Sequence, residues 1–114
     1  MKIKRKKPLI SIGVPTYNRP KELKICLTNL LNQTYKNIEI IVCDNNSKNV
    51  ENKILYKTKL FKNKKIKLIQ NKRNIGILKN TIKALNYANG DFFCWVSDDD
   101  WRSNTFLEEL LKDN

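Results

Sequence analysis

A chain of 114 residues, 40% of them apolar, is sized for one domain with a modest core. No run approaches the roughly eighteen apolar residues that a membrane helix needs. A net charge of +12 draws polyanions, but the lysines are spread along the chain without interleaved aromatics and arginines, which argues against a specific nucleic-acid partner.

The missing residue types exclude more. With no histidine, Ser-His-Asp triads and histidine-ligated zinc are ruled out, leaving carboxylate, amide and hydroxyl chemistry. The three glycines, Gly13, Gly76 and Gly90, can build neither a GxxxxGK[ST] phosphate loop nor a GxGxxG dinucleotide turn. Cys26, Cys43 and Cys94 are odd in number, far apart and set among apolar neighbours, so they read as buried free thiols of a reducing, cytoplasmic compartment.

Residues 1–8 form a basic tail carrying Lys2, Lys4, Arg5, Lys6 and Lys7. It reads first as a solvated tail and second as a contact with the anionic inner face of a membrane. The body, residues 9–114, opens with the β-branched run Leu9 to Val14, bounded by Pro8 and Pro15, which predicts a buried strand. Pro20 then suits the first turn of a helix whose Leu23, Leu27, Leu30 and Leu31 share one face.

Ile38 to Cys43 is a second strand, apolar almost throughout, as expected where both sheet faces are covered. Val50 to Phe61 predicts a helix of poor periodicity, and Lys65 to Ile69 a third strand. Leu78, Ile82 and Leu85 repeat at helical spacing after Gly76, and Asn89-Gly90 gives a stop before a fourth strand, Phe92 to Val96. A last helix, starting near Ser103, carries Phe106, Leu107, Leu110 and Leu111.

Strands alternating with helices predict an α/β fold: a mostly parallel, Rossmann-like sheet with helices on both faces, a three-layer sandwich. Ligands bind such sheets at the carboxyl ends of the strands. That places attention on Pro15 to Arg19, on Asp44-Asn45, and on Ser97 to Trp101.

Asp98, Asp99 and Asp100 are hard oxygen donors of the kind that hold Mg²⁺ or Mn²⁺ against a diphosphate. The plainer alternative is a turn that caps the last helix. Capping accounts for one aspartate; three adjacent like charges repel unless a cation is bound, which favours the metal. Asp44 would either accept a hydrogen bond from a nucleoside or close an Asx turn through Ser47. Tyr17 would either stack on a base or, more simply, pack over its loop.

In order and spacing, Ile10-Ser11-Ile12-Gly13-Val14-Pro15-Thr16-Tyr17-Asn18-Arg19, Leu31 to Val42, Asp44-Asn45-Asn46-Ser47, Asn74-Ile75-Gly76 with Asn80, and Ser97-Asp98-Asp99-Asp100-Trp101 resemble the family 2 glycosyltransferases of the GT-A fold. The resemblance implies that Pro15, Thr16, Tyr17, Asn18, Arg19, Asp44, Asn45, Arg73, Asn74, Gly76, Asn80 and Asp98 bind a nucleotide-diphosphate sugar, a UDP-sugar first of all. It implies that Asp99 and Asp100 hold Mn²⁺ or Mg²⁺, with Ser97 standing where the first aspartate of the DxD motif is found. Asn46 stands at the family's turn glycine, a substitution that asparagine tolerates because it visits the left-handed region.

The activity so implied is an inverting sugar transfer in the synthesis of cell-surface polysaccharide or other glycans. The family's acceptor segment and its catalytic base would lie beyond the DxD loop, so no catalytic base is expected within these residues. The expectation is therefore a donor-binding half that is weak or inactive alone, or a split module that needs a partner chain for the acceptor half.

Overall fold

Each strand is followed by a helix that carries the chain back, so successive strands run the same way. In a computed structural model, which describes residues 7–112, the order is β1 (Ile10–Thr16), α1 (Pro20–Leu31), β2 (Ile38–Asp44) and α2 (Val50–Tyr56). There follow a 3-10 turn (Lys59–Lys62), β3 (Ile66–Gln70), α3 (Ile77–Asn86), β4 (Phe92–Trp95) and α4 (Phe106–Lys112). The basic cluster Lys2 to Lys6 lies outside the described residues.

The four strands form one parallel sheet in the order β3-β2-β1-β4. Crossing from β3 to β4 takes the chain over the two central strands, so α3 packs on β1 and β2. On the opposite face Ile10, Ile12, Val14, Ile38, Ile40 and Val42 meet Leu23, Leu27 and Leu30 of α1 and Leu107 of α4. Helices thus cover both faces, the three-layer α/β arrangement that the alternation predicted. No described helix is long and apolar enough to cross a membrane.

The α3 face has a thinner core of Ile41, Cys43 and Ala84, with Ile69, Ala88 and Phe93 against it. Close approach here depends on Gly13: a Cβ at that position would lie 2.8 Å from both Ala84 and the Phe93 ring. Beside this small core runs a polar seam. Glu39 accepts hydrogen bonds from Ser11 on β1, from Lys67 on β3 and from the Asn89 amide in the turn that feeds β4. Burial alone would raise its carboxyl, but these donors hold it at about 2.

Several boundaries differ from the sequence reading. The helix expected over Val50 to Phe61 ends at Tyr56, and the rest becomes the 3-10 turn that lets Tyr56 and Phe61 meet edge to face. The last helix begins at Phe106, because Ser103 to Thr105 form a turn whose Ser103 carbonyl accepts the Phe106 amide. The Leu78, Ile82 and Leu85 stripe is exposed; α3 meets the sheet through Asn80 and Ala84. The chain from Lys7 onward is tied to the body, with the Lys7 carbonyl accepting from Asn37 and the Pro8 carbonyl from Tyr35. Cys26 and Cys43 are buried thiols as expected, whereas Cys94 is half-buried.

Candidate functional site

Three parallel strand ends and the start of α3 open at one end of the sheet. A groove of about 280 Å³ there is lined by Pro15, Thr16, Tyr17, Arg19, Asn45, Ile77, Asn80, Thr81, Ser97, Asp98 and Asp99. The sequence separates these residues by up to 84 positions (15 to 99), and the β1-β4 and β1-β2 pairings bring them together.

The acidic run is set by that pairing. Thr16, at the end of β1, donates its hydroxyl to Asp98 at 3.0 Å. Arg19 then bridges the run, with Nε 3.3 Å from Asp98 and Nη2 3.3 Å from Asp99. Ser97 donates its hydroxyl to Asp99. The two carboxylates are driven apart: burial pushes Asp98 up against the pull of Thr16 and Arg19, while the Ser97 hydroxyl and Arg19 hold the exposed Asp99 down. Asp100 is exposed. The capping alternative falls, because α4 starts six residues after Asp100 (106 against 100).

Among the described residues no three acidic, histidine or cysteine side chains converge on a point where a metal would sit. The cation balancing Asp98 and Asp99 in this arrangement is Arg19. The donor chemistry nevertheless suits a hard cation, since Asp99 and the Ser97 hydroxyl are oxygen donors on the groove wall and the neighbouring Asp100 is exposed. Mg²⁺ and Mn²⁺ sites take one or two protein carboxylates and complete the shell with phosphate oxygens and water.

Asp44 closes its turn. The Ser47 amide and hydroxyl both donate to Asp44 Oδ1, at 3.1 and 2.5 Å. Asn46 takes φ 69°, the left-handed conformation expected of it. Asp44 also lines a second, polar groove of about 290 Å³ with Asn52, Tyr56, Gln70 and Asn71 among its other walls. Asn18, also left-handed at φ 52°, clamps the first loop to the second: its amide donates to Ser47 and its side-chain oxygen accepts from the Lys48 amide at 2.9 Å.

The remaining amides bind one another. Asn45 donates to Asn74 at 2.9 Å and accepts from Asn71 and from the Ile75 amide. Asn80 donates to the Cys43 carbonyl and accepts from Asn71 at 2.8 Å. Gly76, at φ 87°, makes the turn into α3 and offers its carbonyl to Asn45. Arg73 is exposed on the same connection. Of the expected donor-site residues, then, Asn18, Asn45, Asn74 and Asn80 spend most of their hydrogen-bonding capacity shaping loops.

Sequence reasoning missed three participants. Asn71 sits at the hub of the amide network, and Lys83 donates to it at 2.6 Å. A signal for Asn71 was available: like Asp44 and Ser97, it is polar at the end of an apolar strand. Arg102 had none. It is 8% exposed, donates to the Ser97 carbonyl at 3.0 Å and lies against Cys26, so it braces the acidic loop from behind.

The glycosyl transferase family 2 profile matches residues 11–113. The chain belongs to this family. It is 34% identical over 110 residues to the Escherichia coli UDP-Glc:alpha-D-GlcNAc-diphosphoundecaprenol beta-1,3-glucosyltransferase WfgD, covering 93% of this chain and 42% of that enzyme. Staphylococcus aureus TarS 1-349, in its complex with UDP, superimposes with TM-score 0.78 at 30% identity, covering 90% of this chain and 31% of that one. The Pyrobaculum calidifontis mannosyltransferase PcManGT shares the fold, with TM-score 0.81 at 21% identity over 94% of this chain and 32% of that one. The architecture is that of the GT-A glycosyltransferases, and the chain spans less than half the length of the relatives just described.

Proposed function

We propose that this chain binds a nucleotide-diphosphate sugar, a UDP-sugar first, as the donor half of an inverting glycosyltransferase. The observation that carries the reading is the convergence of Pro15, Thr16, Tyr17, Arg19 and Asn45 with Asp98 and Asp99 around one groove. A strand-end groove of this size accommodates part of a nucleotide sugar and leaves the rest at its mouth. UDP in TarS and UDP-Glc in the name of the E. coli relative support the choice of base.

In this reading Asp99 and Asp100 hold Mn²⁺ or Mg²⁺, which when bound neutralises charge developing on the departing diphosphate. Thr16 and Arg102 keep the loop in place, Thr16 through Asp98 and Arg102 through the Ser97 carbonyl. Tyr17, 44% exposed on the groove wall, offers a ring face to the base. The segment that binds the acceptor and the base that deprotonates it come, in this reading, from polypeptide outside residues 7–112.

Calorimetric titration with UDP, with and without Mn²⁺, tests this on the native chain and on Asp99→Ala. We expect Mn²⁺ to tighten UDP binding at least about tenfold in the native chain, roughly 1.4 kcal/mol, and to change little in Asp99→Ala. Equal affinity with and without the metal would remove the metal from the proposal; no UDP binding at all would remove the donor site.

A further inference from the structure

Arg19 holds the acidic run at two depths. Its Nε lies 3.3 Å from Oδ1 of Asp98, whose side chain is 8% exposed, while its Nη2 lies 3.3 Å from Oδ2 of Asp99, 49% exposed. At its other oxygen each carboxylate accepts from a hydroxyl, Asp98 from Thr16 and Asp99 from Ser97. The inner half of the bridge is therefore shielded, and the outer half lies in solvent, where an ion pair is weak and readily exchanged.

The main chain on either side of Arg19 is fixed. Asn18 is clamped to Ser47 and Lys48, and the Arg19 carbonyl accepts the Leu23 amide in the first turn of α1. The Arg19 side chain makes no capping hydrogen bond to that helix, so the guanidinium is the part that can move. Among the described residues that line the strand-end groove, Arg19 is also the one cation. An anionic ligand and a divalent cation entering this groove meet the same side chain with opposite effects. The anion gains a partner, whereas the cation competes with Arg19 for Asp99, since like charges a few ångström apart repel.

We infer that Arg19 is an exchangeable counter-ion: its Nε stays on Asp98 while its tip passes from Asp99 to a diphosphate, freeing Asp99 for the divalent cation. The exchange rests on the donor-site reading and adds to it a coupling that direct contact between metal and phosphate does not supply. Until the nucleotide arrives, the guanidinium opposes the cation at Asp99. The nucleotide then draws it onto phosphate oxygens, which its fork of donors fits. Donor and metal thereby promote each other's binding through Arg19, and by linkage the effect is equal in both directions.

Titrating Mn²⁺ without nucleotide separates the exchange from direct contact. Binding is followed by loss of the free-ion electron paramagnetic resonance signal in the native chain, Arg19→Gln and Arg19→Lys, with thermal melts to check that each is folded. Mn²⁺ alone should bind at least about threefold more tightly to Arg19→Gln than to the native chain, because the competing charge is gone. Calorimetry with UDP gives the second readout: the factor by which Mn²⁺ tightens UDP should be at least about threefold smaller in Arg19→Gln. Arg19→Lys, whose single ammonium cannot span both carboxylates, should move each quantity the same way by a smaller factor. Mn²⁺ binding that is unchanged or weaker in Arg19→Gln, or an undiminished effect of Mn²⁺ on UDP, would overturn the exchange and leave the donor site standing. Absence of UDP binding by the native chain would instead remove the donor site, and the exchange with it.

Discussion

The two edges of the sheet are guarded in opposite ways. β3 carries Lys67 in mid-strand, follows Lys64 and Lys65, and has the 3-10 turn packed beside it. β4 offers Phe92, Phe93, Cys94 and Trp95, with no charge between Asp91 and Asp98. Exposed edges normally carry lysine or proline because unpaired strands template association. Within residues 7–112, then, one edge of the sheet carries charge along the strand and the other carries none. The strand-end groove opens between them, so the proposed nucleotide site occupies neither edge.

The largest effect on this contrast should come from the middle of the sheet. Gly13→Val puts side-chain atoms where Ala84 and Phe93 already lie within 2.8 Å of the glycine's virtual Cβ. Lifting α3 off β1 and β2 would also break the hydrogen bond from the Trp95 indole N–H to the Thr81 carbonyl, its tie to the β4 edge. We expect a loss of about 3 kcal/mol or more in urea denaturation, at the upper end of overpacking penalties.

Glu39 ties the two edges together, with Lys67 from β3 on one side and the turn before β4 on the other. Its folded-state value of about 2 lies below that of an unfolded glutamate, so its contribution is present above roughly pH 4.5 and is lost as pH falls towards 2. The depression amounts to at most about 3 kcal/mol. Glu39→Gln should therefore be less stable than the native chain at neutral pH, and the gap should close at about pH 2. A gap independent of pH would show that packing, not charge, joins the edges.

The smallest effect should follow from baring the β3 edge. Lys67→Ile removes a half-exposed ion pair, and solvent screening limits that loss to under about 1 kcal/mol. Its visible consequence should be in solution behaviour: static light scattering should report more self-association than in the native chain. No change would mean that charge does not distinguish the two edges.

Strand positions were legible because buried parallel strands leave continuous apolar runs, as in Ile38 to Cys43, and each ends in a polar turn. The turn at Asp44 and the left-handed Asn46 could be read locally, since an Asx turn and an asparagine's φ depend on neighbours three residues apart. The α3 stripe misled: periodicity locates a helix's apolar face and is silent on whether anything covers it. Arg19 on Asp98 and Asp99, Lys83 on Asn71, and Arg102 behind Ser97 are pairings between distant segments, without a local signature.

The sequence by itself determined the parallel α/β sheet, its family and the strand ends where a ligand would bind, because period, turn chemistry and motif spacing are properties of neighbouring residues. Only the tertiary structure decided that the acidic run is balanced by Arg19, that four asparagines hold loops to one another, and that α3 meets the sheet through Asn80 and Ala84 rather than through its apolar stripe. Those follow from which strands lie side by side, and strand order is settled by packing across the whole chain.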